Sequence, residues 1–83
     1  MQKIHYNYAI LAFGPNDNYF ESRDDLNEAR ELASHRTEDS ALLNVGIADL
    51  HGKIIEMIKG NDIKTMRGKL RMIFGITCDK GKI

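Results

Sequence analysis

The chain has 83 residues, of which 42% are hydrophobic and 29% are charged, and its formal net charge is zero. This length fits one domain, and no stretch offers the ~20 apolar residues that a membrane-spanning helix needs. The single cysteine, Cys78, excludes an intrachain disulfide framework and fits a reducing compartment. No signal peptide is recognisable in the first residues, so we expect a cytoplasmic protein.

The zero net charge hides an imbalance between the two halves. Residues 1–50 hold four Lys/Arg and nine Asp/Glu, which gives 4 − 9 = −5, and residues 51–83 hold eight and three, which gives 8 − 3 = +5. Such asymmetry indicates an anionic partner or self-association, but the two halves could also attract each other across one surface. Because so short a chain buries only about 60% of its unfolded surface, we also expect a homodimer.

The first half predicts two strands and a helix. Residues 3–13 form a central strand, because both of its faces become apolar towards Phe13, and residues 14–18 form a turn before a short strand at 19–21. Ser22 is expected to cap a helix that ends near residues 35–36. The strand places three residues on one face and two on the other: Tyr6, Tyr8 and Ile10 against Leu11 and Phe13.

The second half predicts a hairpin and a second helix. Residues 41–48 form a strand, residues 49–52 a turn, and residues 53–59 the partner strand. Asn61 or Asp62 then caps a helix that runs to about Phe74, where Gly75 provides a natural end. The core face of the strand at 41–48 is predicted to consist of Leu43, Val45 and Ile47.

These elements predict an α+β fold of order β-β-α-β-β-α, with an antiparallel sheet and both helices packed on one face. The chain is expected to form a single domain, 1–83. Within it, residues 1–60 form a β-β-α-β-β core, residues 61–75 a basic C-terminal helix, and residues 76–83 a basic tail that is frayed or docked on a partner.

Catalytic and metal sites are not indicated. The three histidines are scattered over a strand, a helix end and a turn, and none of the common catalytic or phosphate-loop motifs occurs. His and Cys are too few for a closed zinc site, so we expect no metal, no cofactor and no enzymatic activity. His51 beside Asp49, or Cys78 beside a base, would be the only chemistry available.

The second helix has a basic side beside its apolar side. Lys64, Arg67 and Arg71 follow one another at i, i+3 and i+7, a spacing that could meet successive phosphates, whereas Lys69 lies off the other edge of this stripe. Exposed rings at Tyr6, Tyr8, Tyr19 or Phe20 could stack on bases. The opposing interpretation is an ordinary solvated helix face with core tyrosines. The candidate nucleic-acid-binding residues are Lys64, Arg67, Lys69, Arg71, Lys80 and Lys82.

The first helix has an acidic side formed by Asp24, Glu28 and Glu31. These carboxylates could occupy a basic groove on a partner protein. They could also serve only solubility, since four or five carboxylates are few for a mimic of nucleic acid.

The helix sequence Ser-x-Asp-Asp-Leu-x-Glu-Ala-Arg-x-Leu-Ala at 22–33, followed by Ile-Ala-Asp-Leu-His-Gly-Lys-Ile-Ile at 47–55, resembles small phage-encoded accessory proteins. These include anti-CRISPR proteins and inhibitors of toxin–antitoxin systems. The resemblance covers residues 5–58, is architectural, and transfers no functional residue. It implies a small intracellular protein that acts against a host defence component.

The sequence thus predicts a homodimeric, phage-type accessory protein that binds RNA, or an RNA-containing host complex, through its basic C-terminal helix. One alternative is an inhibitor that binds a host protein through the acidic helix or the sheet, without nucleic acid. Another is a structural dimer whose interface is the Ile- and Met-rich second hairpin.

Overall fold

The computed structural model describes the backbone of residues 7–81 and the side chains of residues 7–73. The predicted order β-β-α-β-β-α is confirmed, as is the single antiparallel sheet. The elements are β1 (Tyr8–Phe13), β2 (Asn18–Arg23), α1 (Leu26–Arg36), β3 (Asn44–Asp49), β4 (Ile54–Lys59) and α2 (Ile63–Gly81).

The strands lie in the order β2-β1-β3-β4, so β1 is central, as its apolar character predicts. The pairing of β1 with β2 and with β3 is continuous. The β3–β4 pairing is interrupted twice, between Val45 and Gly46 and between Ile47 and Ala48. Within residues 7–81, β2 and β4 are therefore the two edges, one regular and one irregular.

The two helices cover opposite faces of the sheet, so the expectation that both pack on one face is wrong. Successive side chains of β1 point to opposite sides, and all but the first are buried. A central strand that is apolar on both sides needs cover on both sides. On one side α1 contributes to a cluster of Ile10, Ala12, Ala29, Ala33, Leu42, Val45 and Ile47. On the other side α2 contributes to a cluster of Ala9, Leu11, Phe13, Ala48, Met66 and Leu70.

Gly46 in β3 allows α2 to approach the sheet closely. A Cβ atom at this position would lie 3.0 Å from both the Met57 sulfur and the Met66 methyl carbon. Met66 and Leu70 are each 1% exposed and anchor α2 on this second face. Burial of these two side chains, rather than intrinsic helix propensity, is what holds α2 against the sheet.

α1 begins three residues later than predicted. Ser22 does not cap it, because β2 continues to Arg23, which pairs with Tyr8. The cap is Asp25, whose Oδ2 accepts the Glu28 backbone N–H at 3.1 Å. Asp25 and Glu28 have the spacing of a capping box. The choice between Ser22 and Asp25 as the cap depends on how far β2 pairs with β1, which cannot be read from the local sequence.

The start of β3 also differs from the prediction. Val45 and Ile47 are fully buried as expected, but Leu43 precedes the strand and is 50% exposed. Leu42, at 3% exposure, contributes to the cluster under α1 instead. The turn before Asn44 therefore exchanges the roles of two adjacent leucines.

α2 continues to Gly81, so the expected end near Phe74 is wrong and most of the predicted tail is helical. A glycine ends a helix only when it adopts the left-handed conformation, and inside a helix it costs about 1 kcal/mol relative to alanine. Gly75 takes this second role. The helices of the described residues include none that is long and apolar enough to span a membrane.

Candidate nucleic-acid interface

The turn between β3 and β4 holds Lys53 in a defined position. The Asp49 carboxylate accepts the backbone N–H groups of His51 at 2.9 Å and of Lys53 at 3.0 Å. Gly52 adopts a φ of 82°, which an L-residue with a side chain rarely takes. These hydrogen bonds within the turn position the start of β4, which lines a cleft together with α2.

The N-terminus of α2 is fixed by hydrogen bonds to Asp62. Its Oδ1 accepts the Thr65 backbone N–H at 3.1 Å, and its own N–H donates to Asn44 Oδ1 at 3.1 Å. Hydrogen bonds from the Thr65 backbone and side chain, assisted by the charge of Lys64, lower the pKa of Asp62 below its ordinary value. The cap therefore sets the position of the first basic residue relative to β3.

Three cations from two parts of the chain, the β3–β4 turn and α2, meet at one cleft. Lys53, Arg67 and Arg71 line a cavity of about 270 Å³, together with Gly52 and Ile54. Arg67 and Arg71 lie one helical turn apart on the side of α2 that faces β4, because residues spaced i and i+4 are neighbours on a helix surface.

Lys64 extends this arrangement by one turn towards the start of α2. Its side chain and those of Lys53, Arg67 and Arg71 are exposed. The ion pairs within residues 7–73 are Arg23–Glu21 and Arg30–Glu56, so none of these four cations is neutralised there. We call Lys53, Lys64, Arg67 and Arg71 the basic surface.

Lys69 does not belong to this surface, although it was predicted to bind nucleic acid with the others. Its ammonium group lies 5.2 Å from the centre of the Phe13 ring, and the side chain is half-buried. A cation over an aromatic face is attracted by the ring quadrupole, which keeps Lys69 on the β2 side of α2. Lys80 and Lys82, the two remaining predicted cations, have side chains outside the described residues.

Sequence reasoning missed Lys53. It lies in a hairpin turn, ten residues before the start of α2, and nothing in its local pattern distinguishes it from a solvated turn residue. Only the packing of α2 on the face of the sheet next to this turn brings Lys53 to the arginines.

The two described strand tyrosines, Tyr8 and Tyr19, do not form a platform for bases. Tyr8 and Tyr19 pack against the cluster under α1, and the Arg36 guanidinium lies 4.4 Å from the centre of the Tyr19 ring. The interpretation of these two tyrosines as core residues is therefore the right one. Phe20 points to the α2 side and is 39% exposed, and Tyr6 lies outside the described residues.

The acidic surface, formed by Asp24, Glu28 and Glu31, lies on the α1 side of the sheet. Glu28 and Glu31 line an open cleft of about 420 Å³ with Arg23, Leu32 and His35. Asp24 precedes α1 rather than lying within it, and its carbonyl accepts a hydrogen bond from Asn7.

The acidic and basic surfaces lie on opposite sides of the sheet and therefore face away from each other. No ion pair among residues 7–73 joins a carboxylate of residues 7–50 to a cation of the second half. Within these residues, therefore, no ion pair of this kind holds the two oppositely charged halves together.

The described residues contain no group of three or more His, Cys, Asp and Glu side chains that could hold a metal ion. Comparison with known proteins adds no assignment, since no family model, no curated protein and no solved structure matches this chain.

Proposed function

We propose that this protein binds RNA through the basic surface, and that it does so by contacting phosphates rather than by reading bases. The observation that supports this proposal most directly is the convergence of Lys53, Arg67 and Arg71 on one cleft, with Lys64 one turn away. These cations are exposed and form no ion pair within residues 7–73, so their charge is available to an anion.

The fold supports a phosphate-based mode. Guanidinium groups donate paired hydrogen bonds to phosphate oxygens, and the spacing of Arg67 and Arg71 presents two such groups side by side. Both faces of the sheet are covered by helices, which leaves no open sheet surface on which the described tyrosines could stack with bases. Neutralising two or three phosphates makes binding depend strongly on salt and weakly on sequence.

The test is a titration of fluorescently labelled single-stranded RNA, duplex RNA and DNA over a range of salt concentrations. We expect the variant Arg67→Gln/Arg71→Gln to bind RNA on the order of tenfold to a hundredfold more weakly. Its slope of log K against log salt should become shallower by about 1.4 for single strands or about 1.8 for a duplex.

Arg30→Gln provides the matched control, because Arg30 is an exposed helix arginine on the opposite side of the sheet. We expect this variant to leave the affinity unchanged. A free-energy loss in Arg30→Gln about half that of the double variant would show that only net charge matters. RNA affinity that survives the loss of Arg67 and Arg71 would refute the proposal. Preferential DNA binding would keep the surface but change its ligand.

A second candidate function is protein binding through the acidic surface, supported by the cleft that Glu28 and Glu31 share with Leu32 and His35. This becomes the leading candidate if the titration detects no nucleic acid binding. Inhibition of a host defence or toxin–antitoxin component rests on the architectural resemblance and stays a prediction in either case.

A further inference from the structure

We propose that two copies of this protein pair through the outer edge of β2, so that their sheets join into one continuous antiparallel sheet. Within residues 7–81, no strand pairs with this edge, and the pairing of β2 with β1 runs without interruption from Asn18 to Arg23. A regular strand at the edge of a sheet is a template for another strand. The opposite edge, β4, has two register irregularities and is the poorer template.

The sequence of β2 is complementary to itself when it is read in the opposite direction. If Phe20 pairs with Phe20 of a second copy, Tyr19 faces Glu21 and Asn18 faces Ser22. Asp17, the turn residue directly before β2, then faces Arg23. Each pair joins chemically compatible groups, because an acid meets a base and hydrogen-bonding side chains meet each other. The Tyr19 hydroxyl and Glu21 are already within hydrogen-bond distance in the single chain, at 3.3 Å.

Arg23 is placed to take part in such an interface. Its Nη1 atom donates to Glu21 at 3.0 Å and to the Ser22 carbonyl at 2.7 Å. Pairing would replace the bond to the Ser22 carbonyl with a ladder hydrogen bond, and would bring the Asp17 carboxylate of the second copy beside the guanidinium. The Asp17 side chain is exposed, so its carboxylate can approach Arg23 of the second copy without breaking a buried contact.

An apolar patch adjoins this edge on the α2 side. Phe20, Met72 and Ile73 are 39%, 84% and 43% exposed, and they line a cleft of about 300 Å³ between β2 and α2. In the symmetric pairing the two Phe20 side chains point to the same side of the joined sheet, since directly opposed residues in antiparallel strands share a face. The two patches then meet across the symmetry axis and remove apolar surface from water.

This interface at β2 differs from the one that the sequence predicts at the second hairpin, and it does not depend on RNA binding. Both α2 helices, and with them both basic surfaces, would lie on one side of the joined sheet. Because the interface consists of one strand and a small patch, it belongs to the weak end of specific interfaces, and we expect a dissociation constant in the micromolar range.

Sedimentation equilibrium of charge-reversal variants tests the pairing. Asp17→Arg alone or Arg23→Asp alone places like charges opposite each other at two symmetry-related positions, and should weaken the dimer about 30-fold. The double variant Asp17→Arg/Arg23→Asp restores opposite charges and should recover the dimer. A wild-type protein that stays monomeric at high micromolar concentration would overturn the proposal, as would a double variant no better than the single ones.

Cross-linking measures the register directly. In a Cys78→Ser background, Phe20→Cys should form an intermolecular disulfide on mild oxidation, since facing residues of paired strands lie at a separation that a disulfide can bridge. Ile55→Cys on the β4 edge, where Ile55 is 43% exposed, is the matched control and should cross-link far more slowly. Faster cross-linking at Ile55 would assign the interface to β4 and refute the β2 pairing.

Discussion

The packing of α2 on the second face of the sheet can be tested by shortening one side chain. Leu70 is 1% exposed and belongs to the cluster with Leu11 and Phe13, whereas Met72, two residues further along, is 84% exposed. Leu70→Ala removes buried methyl groups and leaves a cavity, which costs about 2–5 kcal/mol. Met72→Ala removes a side chain that is mostly in water, and should change stability by less than about 0.5 kcal/mol.

The stability that Leu70→Ala is expected to remove is a large fraction of the free energy of unfolding of the domain. A domain of this size has a free energy of unfolding on the order of 4–12 kcal/mol, so Leu70→Ala should lower the urea midpoint substantially and Tm by about 10 °C or more. Urea titrations followed by circular dichroism of both variants provide the comparison, and an unchanged m-value confirms that the unfolding transition is the same. Equal, small effects of the two substitutions would refute the placement of α2.

Two further predictions concern α2. Gly68 is exposed, and a Cβ atom there would meet nothing within 4 Å. Gly68→Ala should therefore stabilise the protein by about 1 kcal/mol and raise Tm by about 4–8 °C in a thermal melt, and a lower Tm would contradict a regular helix at this position. Asp62 has a pKa below its ordinary value when folded, so its stabilising effect is complete above the pKa of the unfolded chain and is lost as the pH falls through the folded pKa. Between neutral pH and about pH 3, the urea midpoint should fall less for Asp62→Asn than for the wild type, because the asparagine keeps an accepting oxygen for Thr65 and does not titrate. Parallel decreases would show that Asp62 does not contribute to the pH dependence of stability.

The sequence predicts the element order because the apolar periodicity and the turn residues are local properties. It does not predict where strand pairing ends. The choice between Ser22 and Asp25 as the cap of α1 depends on the register of β2 against Tyr8, which involves residues far apart in the chain. The exchange of Leu42 and Leu43 has the same origin, because a turn before β3 decides which leucine enters the core.

The candidate site is predictable to a similar extent. Helical spacing places Lys64, Arg67 and Arg71 on one side of α2 and separates Lys69 from them. Lys53 joins them only through tertiary packing, which no spacing rule reveals. The placement of the helices shows the same limit: β1 is apolar on both sides, which requires two covering layers, yet the pattern of α1 and α2 alone does not say which helix covers which side.

The arrangement of α2 has a consequence for the order of events during synthesis. The four strands and α1 leave the ribosome first, and at that moment one side of the nascent sheet, with Leu11, Phe13 and Ala48, still lacks its cover. Only when Met66 and Leu70 emerge can this side be closed. The native state is therefore reached only after translation of the C-terminal helix. A chain truncated before residue 63 would expose one apolar face of the sheet, which chaperones and proteases would recognise.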